Sequence, residues 1–168
     1  MNENYIVING KKSELTEEQL KALGIKVETN RKNPFKDVDR FEDYYFIDRN
    51  NEVRASMKTD SSVDNQMYTS ANYFSDKAFA EQVALHQLLY RKLLKFTYDN
   101  ECADNQIWGG NGLEHWHIGY DFTECIFCVS WISTYKNNDV YFSTKEGAER
   151  AIKEVVEPFI KEHPDFVW

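Results

Sequence analysis

Long apolar runs, cysteines and cationic residues are all scarce in this sequence of 168 residues. No stretch approaches the roughly 20 consecutive apolar residues that a transmembrane helix needs, so no membrane span is expected. The three cysteines are too few, and too odd in number, for a disulfide framework, which favours a reduced compartment. Residues 1–5 lack the basic segment and apolar run of a secretory signal. These absences predict a soluble cytoplasmic protein.

Positive charge is in the minority, because 20 Lys and Arg face 28 Asp and Glu to give a net charge of −8. Affinity for nucleic acid depends mainly on Lys and Arg contacts with phosphates, so direct binding of DNA or RNA is not expected. Enzyme signatures are also missing. Residues 109–112 are glycine-rich but lack the Lys and the following helix of a phosphate-binding loop, and neither G-x-S-x-G nor H-E-x-x-H occurs. We therefore expect that the chain is not an enzyme.

Aromatic side chains are plentiful, at 15% of the residues, and they provide enough apolar surface for a folded core. Residues 1–28 predict an N-terminal hairpin and a short helix, which begins with a capping box at Thr16 and Gln19. Residues 29–41 are polar, as is typical of a linker. Residues 42–168 are expected to form the main domain. The overall prediction is an α+β protein.

One short segment occurs twice in the predicted main domain. Residues 73–81 (YFSDKAFAE) align without gaps with residues 141–149 (YFSTKEGAE), and six of the nine positions are identical. Each copy follows an aromatic strand pair, at residues 44–57 and 116–133, and each begins a helix. The pattern predicts tandem strand–strand–helix repeats, about residues 42–99 and 115–162. The alternative is a chance likeness between two strand–cap–helix junctions.

A strand pair with one helix cannot bury its apolar faces alone. The two repeats are therefore expected to form one antiparallel sheet with both helices packed on one face. Residues 59–68 are read as a polar connection inside the first repeat. In the second repeat, Ala148, Ile152, Val155 and Phe159 are spaced to give one buried helix face. Pro158 is expected to end or bend that helix, because proline has no N–H to donate.

The segment between Lys95 and Lys136 contains no other Lys or Arg. Acidic residues alternate with aromatic ones along it, so it could attract a basic protein surface and anchor it with an exposed tryptophan. The predicted partner-binding residues are Asp99, Glu101, Asp104, Trp108, Glu114, Asp121 and Glu124. The alternative is a solvated acidic loop over a core into which the aromatic rings point.

His115-x-His117 and Cys125-x-x-Cys128 together supply the four ligands of a structural zinc site, so zinc is a candidate cofactor. The two histidines would share one face of a strand, whereas the two cysteines would point to opposite faces unless residues 123–126 form a turn. The alternative is that the cysteines simply pack in the interior. A pair such as Cys128 with His117 could also serve as nucleophile and base of a small Cys-dependent hydrolase.

Several segments resemble small proteins encoded by phages and prophages of low-GC Gram-positive bacteria. They are VINGKK with LTEEQ within residues 7–19, YYFID and NYFS within residues 44–75, and VYFSTKE at residues 140–146. These proteins are mostly uncharacterised, but the class includes inhibitors of host defence, among them anti-CRISPR proteins that bind effector nucleases. The resemblance implies a phage protein that acts in the host cytoplasm and has a protein partner.

The resemblance, taken with the acidic segment, predicts a non-enzymatic inhibitor that covers a basic surface of a host-defence protein, such as a CRISPR effector nuclease. Residues 99–124 would make the contact. Three alternatives stay open: a zinc-stabilised binding domain of unspecified role, a small Cys-dependent hydrolase, and a structural or morphogenetic phage protein.

Overall fold

The computed structural model describes residues 5–8, 11–14, 16, 19, 32–108 and 112–168. The chain divides into two compact units, Met1–Asn33 and Pro34–Trp168. In the first unit, Tyr5–Ile8 (β1) pairs antiparallel with Lys11–Glu14 (β2), which is the predicted hairpin.

The predicted capping box follows this hairpin. The N–H of Thr16 donates to Gln19 Oε1 at 2.9 Å, and the N–H of Gln19 donates to Thr16 Oγ1 at 3.3 Å. These are the two reciprocal bonds that define the motif. The rest of the predicted short helix, residues 20–28, lies outside the described residues.

The second unit is a mixed α+β fold, as the sequence predicts. Its elements, in chain order, are Asp43–Ile47 (β3), Val53–Met57 (β4), Ser62–Thr69 (α1), Lys77–Asp99 (α2), His115–Asp121 (β5), Ile126–Ile132 (β6), Lys145–Ala151 (α3), a π-helical turn at Ile152–Val156, and Glu157–Glu162 (α4). None of the helices in the described part of the chain combines the length and the apolar character needed to cross a bilayer.

The described strands form separate two-stranded hairpins, β3 with β4 and β5 with β6, where the sequence predicts one joined sheet. The first strand of each hairpin has a further partner on its other side. Tyr45 pairs with Phe74, and Trp116 pairs with Phe142. Each aromatic segment before a helix therefore lies where the neighbouring strand of a joined sheet would begin.

These two bridges have the same hydrogen-bond pattern. Phe74 and Tyr45 exchange both backbone hydrogen bonds at 2.8 Å. Phe142 donates to Trp116 at 2.7 Å and accepts from it at 3.2 Å. Phe74 and Phe142 are also equivalent in the alignment of the two short segments.

The helices that follow begin in the same way. Asp76 caps α2 by accepting the N–H of Phe79 at 3.0 Å. Thr144 caps α3 by accepting the N–H of Gly147 at 3.1 Å. Asp76 aligns with Thr144, and Phe79 aligns with Gly147, so aligned positions make equivalent contacts in both copies.

Helix α2 contributes to two apolar clusters. Its N-terminal half packs in the smaller one, with Ile47, Phe74, Ala80 and Ala84. Its C-terminal half packs in the larger one, together with residues of β5, α3, α4 and the segments next to them. The buried residues of this cluster are Leu89, Leu93, Phe96, Cys102, Ile118, Val140, Phe142, Ala148, Ala151, Val156 and Phe159. The two hairpins therefore pack in separate buried clusters, and α2 contributes residues to both.

Pro158 does not end the last helix, and the irregularity takes the form of the π-helical turn before it. The N–H of Glu157 donates to the carbonyl of Ile152, five residues earlier. This wider turn accommodates the proline, which has no N–H and whose ring crowds the carbonyl four residues earlier in a regular helix. The turn also moves the buried face by one residue. Val156 is fully buried, where regular spacing predicts Val155.

Residues 34–41, which belong to the predicted linker, are part of the second unit and are hydrogen-bonded to the rest of it. The N–H of Ser75 donates to the carbonyl of Pro34 at 2.7 Å, and the N–H of Val38 donates to Tyr73 Oη at 3.3 Å. Lys58 Nζ lies 2.5 Å from Asp37 Oδ2. Polar composition here therefore reflects a segment held on the domain surface by hydrogen bonds.

Asp64 in α1 is a buried carboxylate whose oxygens are fully hydrogen-bonded. The N–H groups of Ser61 and Thr59 donate to its Oδ2 at 2.9 Å, and Tyr44 Oη donates to its Oδ1 at 3.0 Å. These bonds, led by the N–H of Ser61, hold the pKa of Asp64 well below its usual value of 3.8.

Because folding lowers the pKa of Asp64, its carboxylate stabilises the fold fully above pH 3.8, and this contribution is lost as the pH falls toward the lower folded value. We expect Asp64→Asn to lower the free energy of unfolding strongly at about pH 7 and much less at about pH 2. Urea unfolding at both pH values measures the difference. The control is Asp43→Asn, an exposed carboxylate on β3. A cost for Asp64→Asn that is the same at both pH values would contradict this prediction.

Candidate functional site

The β5–β6 hairpin carries the two predicted histidines on one face. Side chains alternate between the faces of a strand, so His115 and His117 lie on the same side. Their cross-strand partners are Ile132 and Ser130. Ile118 points to the opposite side and is buried in the larger core cluster.

His115 is part of the interior. Its Nδ1 lies 2.5 Å from Asp104 Oδ2, and the side chains of the two residues are 0% and 1% exposed. The ring of Trp108 stacks on the imidazole with centroids 3.6 Å apart, and its edge meets Tyr141. Lys136 Nζ lies 5.5 Å from the centre of the Trp108 ring. Two of the predicted partner-binding residues, Asp104 and Trp108, therefore cover a buried histidine.

His117 belongs to a different chain of polar side chains, at the surface. Its Nε2 lies 2.9 Å from Ser130 Oγ, and its Nδ1 lies 3.2 Å from Asp139 Oδ2. Ser130 is exposed, and the side chains of His117 and Asp139 are 18% and 41% exposed. Their order along the hydrogen bonds is that of a nucleophile, a base and an orienting carboxylate.

Sequence reasoning missed this arrangement because neither Ser130 nor Asp139 belongs to a recognisable motif. The predicted strand pair indicated that some residue of β6 would lie opposite His117. The sequence did not determine which one, because a shift of one residue in the strand register places a different side chain there. Cys128, which the hydrolase alternative pairs with His117, lies opposite Gly119.

The four predicted zinc ligands are not brought together. The Nδ1 atoms of His115 and His117 face separate carboxylates. Cys125 lies in the hairpin turn with a φ of 55°, and Cys128 is exposed on β6. Across the described ranges, no three side chains of His, Cys, Asp or Glu lie close enough to hold a metal ion.

The predicted carboxylates do not form one cluster. Asp99 lies at the end of α2 in an ion pair with Lys95, and Glu101 follows it in the sequence. Glu114 directly precedes β5, whereas Asp121 is its last residue. An extended strand of this length holds them about 24 Å apart, at about 3.4 Å per residue.

The end of the β5–β6 hairpin keeps two of these carboxylates beside exposed apolar side chains. We call Asp121, Phe122, Glu124 and Ile126 the hairpin end. Phe122 is 75% exposed and Ile126 is 54% exposed. Asp121 accepts the N–H groups of Thr123 and Glu124 at 2.8 and 3.1 Å, and these bonds lower the pKa of its carboxyl. Asp121 therefore stays ionised.

Neither carboxylate of the hairpin end takes part in an ion pair within the described part of the chain. The hairpin end thus presents negative charge and an aromatic ring together. Comparisons of this chain with protein-family models, with curated proteins and with solved structures found no match.

Proposed function

We propose that this chain is a phage-encoded inhibitor that binds a host-defence protein with a basic surface, such as a CRISPR effector nuclease. The observation that carries the proposal is the hairpin end, where the exposed Phe122 lies in the same turn as Asp121 and Glu124. Neither carboxylate has an ion-pair partner among the described residues. Buried aromatic side chains are frequent anchors of protein interfaces, and clustered charge steers a partner of opposite sign. The phage resemblance of the sequence supports the class of partner.

The proposed mode of action is blockade. A nuclease binds the phosphates of its substrate in a basic groove, and carboxylates on a rigid turn can occupy that groove in their place. The turn is already held by the N–H groups that Asp121 accepts, so little conformational freedom is lost on binding. Such an inhibitor acts in the host cytoplasm by occupying the substrate groove of its partner, and it does not need to catalyse a reaction.

The same proposal includes the duplication of a strand–strand–helix unit, about residues 42–99 and 115–162. The matching bridges and helix caps at aligned positions support it. The two hairpins differ in a way that bears on function. In the turn of the first, Arg54 pairs with both Asp48 and Glu52. The second hairpin is longer, with seven residues in each strand, and its turn carboxylates have no such partner in the described part of the chain.

Charge reversal at the hairpin end tests the proposal. We expect Asp121→Lys with Glu124→Lys to weaken binding to a purified CRISPR effector nuclease by on the order of 10-fold or more, since like charges then face each other. Phe122→Ala should weaken it to a similar degree if the ring is the anchor. Affinity and its salt dependence can be measured by titration calorimetry. Asp104 is excluded from the reversal because its side chain is buried.

The matched control is Asp48→Lys with Glu52→Lys, which makes the same change of charge at the turn of the first hairpin. This control should retain most of the affinity. Equal losses in the two double variants would mean that only net charge matters, and unchanged affinity at the hairpin end would overturn its role.

A further inference from the structure

We propose that Ser130 is an activated nucleophile for acyl transfer, with His117 as its general base and Asp139 as the residue that positions His117. This inference is independent of the proposed binding function. It depends on the two contacts of His117, 2.9 Å from Nε2 to Ser130 Oγ and 3.2 Å from Nδ1 to Asp139 Oδ2.

The hydrogen bonds determine which ring nitrogen is the base. An ionised carboxylate can only accept, so Nδ1 of His117 carries the proton and donates it to Asp139. The other nitrogen, Nε2, then has a free lone pair and accepts the hydroxyl proton of Ser130. This is the tautomer in which a histidine can remove a proton from a serine.

The hairpin holds these groups in place. Ser130 and His117 are cross-strand partners, so regular secondary structure fixes both backbones. His115 has a carboxylate on Nδ1 as well, but it is buried and its Nε2 has no hydrogen-bond partner among the described residues. Of these two histidines, His117 is the one that combines an orienting carboxylate, a hydroxyl and access to solvent.

The sheet also provides a donor for the oxygen of a reacting carbonyl group. Trp116 bonds Phe142 through its N–H and C=O, on the side away from β6. Its cross-strand partner Trp131 must then direct its own N–H away from β5, because the groups of a non-hydrogen-bonded pair point outward. This N–H immediately follows Ser130, and among the described strands β6 pairs only with β5.

The reaction balances with an ester and water. Ser130 Oγ forms a bond to the ester carbonyl carbon while its proton passes to His117 Nε2. The bond from that carbon to the alcohol oxygen then breaks, and the departing alcohol takes the proton from Nε2. A water molecule next gives a proton to Nε2 and attacks the acylated serine. The carboxylic acid leaves, and Ser130 regains its proton from Nε2.

The surroundings favour an uncharged ester, because the net charge of −8 disfavours anionic substrates.

A fluorophosphonate ester is the first probe, because the attack of an activated serine on phosphorus expels fluoride. We expect the folded full-length chain to be labelled at Ser130, as mapped by peptide mass spectrometry. Ser130→Ala should lose the label, and Ser133→Ala, one residue beyond the end of the same strand, should keep it. His117→Gln should slow labelling by roughly 100-fold or more.

Asp139→Asn tests positioning. An asparagine amide donates to Nδ1, which moves the proton to Nε2 and removes the base. Labelling should then be slow and should lose its dependence on pH, a readout that a purely structural role would not change. Labelling of the wild-type chain no faster than that of the urea-unfolded chain would overturn the proposal, and so would equal rates in wild type and His117→Gln.

The substrate class is tested with p-nitrophenyl butyrate and its anionic counterpart of similar length, mono-p-nitrophenyl succinate. The rate that depends on Ser130 is the difference between the wild type and Ser130→Ala, which removes the contribution of the exposed thiols of Cys125 and Cys128. This rate should be higher for the butyrate, and a higher rate for the succinate would overturn the assignment of an uncharged ester. Reversal of Asp121 and Glu124 should leave labelling unchanged, so the two proposals can fail separately.

Discussion

Replacing Phe142 with alanine is expected to lower the free energy of unfolding by about 3–5 kcal/mol, the usual cost of removing a buried aromatic ring. Phe142 is 0% exposed and belongs to the larger core cluster. Its backbone pairs with Ala103 and Trp116, so the ring packs at a point where three segments meet. Urea unfolding followed by circular dichroism measures the loss.

Two further substitutions provide a buried comparison and an exposed control for that result. Phe74→Ala removes the ring at the aligned position of the segment 73–81, which is 1% exposed, and should cost a similar amount. Phe122→Ala removes an exposed ring at the hairpin end and should change stability by no more than about 0.5 kcal/mol. A cost below about 1 kcal/mol for Phe142→Ala would contradict its place in the core.

His115→Ala is expected to destabilise the chain by about 3–5 kcal/mol, because it leaves Oδ2 of the buried Asp104 carboxylate without its imidazole partner while Oδ1 keeps only the N–H of Gln106. Asp104→Ala with His115→Ala should cost less than the sum of the two single variants, since neither polar group then stays behind unpaired. Unfolding free energies of the four proteins in this cycle give the coupling directly.

The matched control for His115→Ala is His117→Ala, two residues along the same strand. His117 is partly exposed, so water can replace its contacts and the cost should be about 1 kcal/mol or less. Equal costs for the two histidines would contradict the buried pair. A double variant whose cost equals the sum of the single variants would contradict the coupling.

Local chemistry made much of the fold predictable. The Thr16–Gln19 capping box is confirmed by both of its hydrogen bonds. The strand pairs and the helix after residue 76 lie within about two residues of their predicted bounds, because runs of aromatic and apolar residues and a capping side chain determine structure over short distances. The helix Ser62–Thr69 was not predicted, since its residues are polar. Its signal was the Ser61 and Asp64 capping box, in which aspartate replaces the usual glutamate.

Contacts between distant residues were not predictable. Asp104 looked like a surface charge, because nothing in the local sequence indicates that His115 buries it. The hydrogen-bonded chain of Ser130, His117 and Asp139 depends on strand register and on the path of the loop after β6. Composition correctly predicted an acidic segment. The structure was needed to distinguish its buried carboxylate, Asp104, from the exposed carboxylates of Asp121 and Glu124 at the hairpin end.

The π-helical turn at Ile152–Val156 has a consequence for tracing the ancestry of this chain. A turn of this kind is the form that one additional residue takes when it is accommodated inside a helix. A homologue without that residue would have a regular helix, and its buried positions would match this chain only if a gap were opened between Ala151 and Val156. Alignment methods penalise gaps within helices, so a true relative could be aligned one residue out of phase over its last two turns.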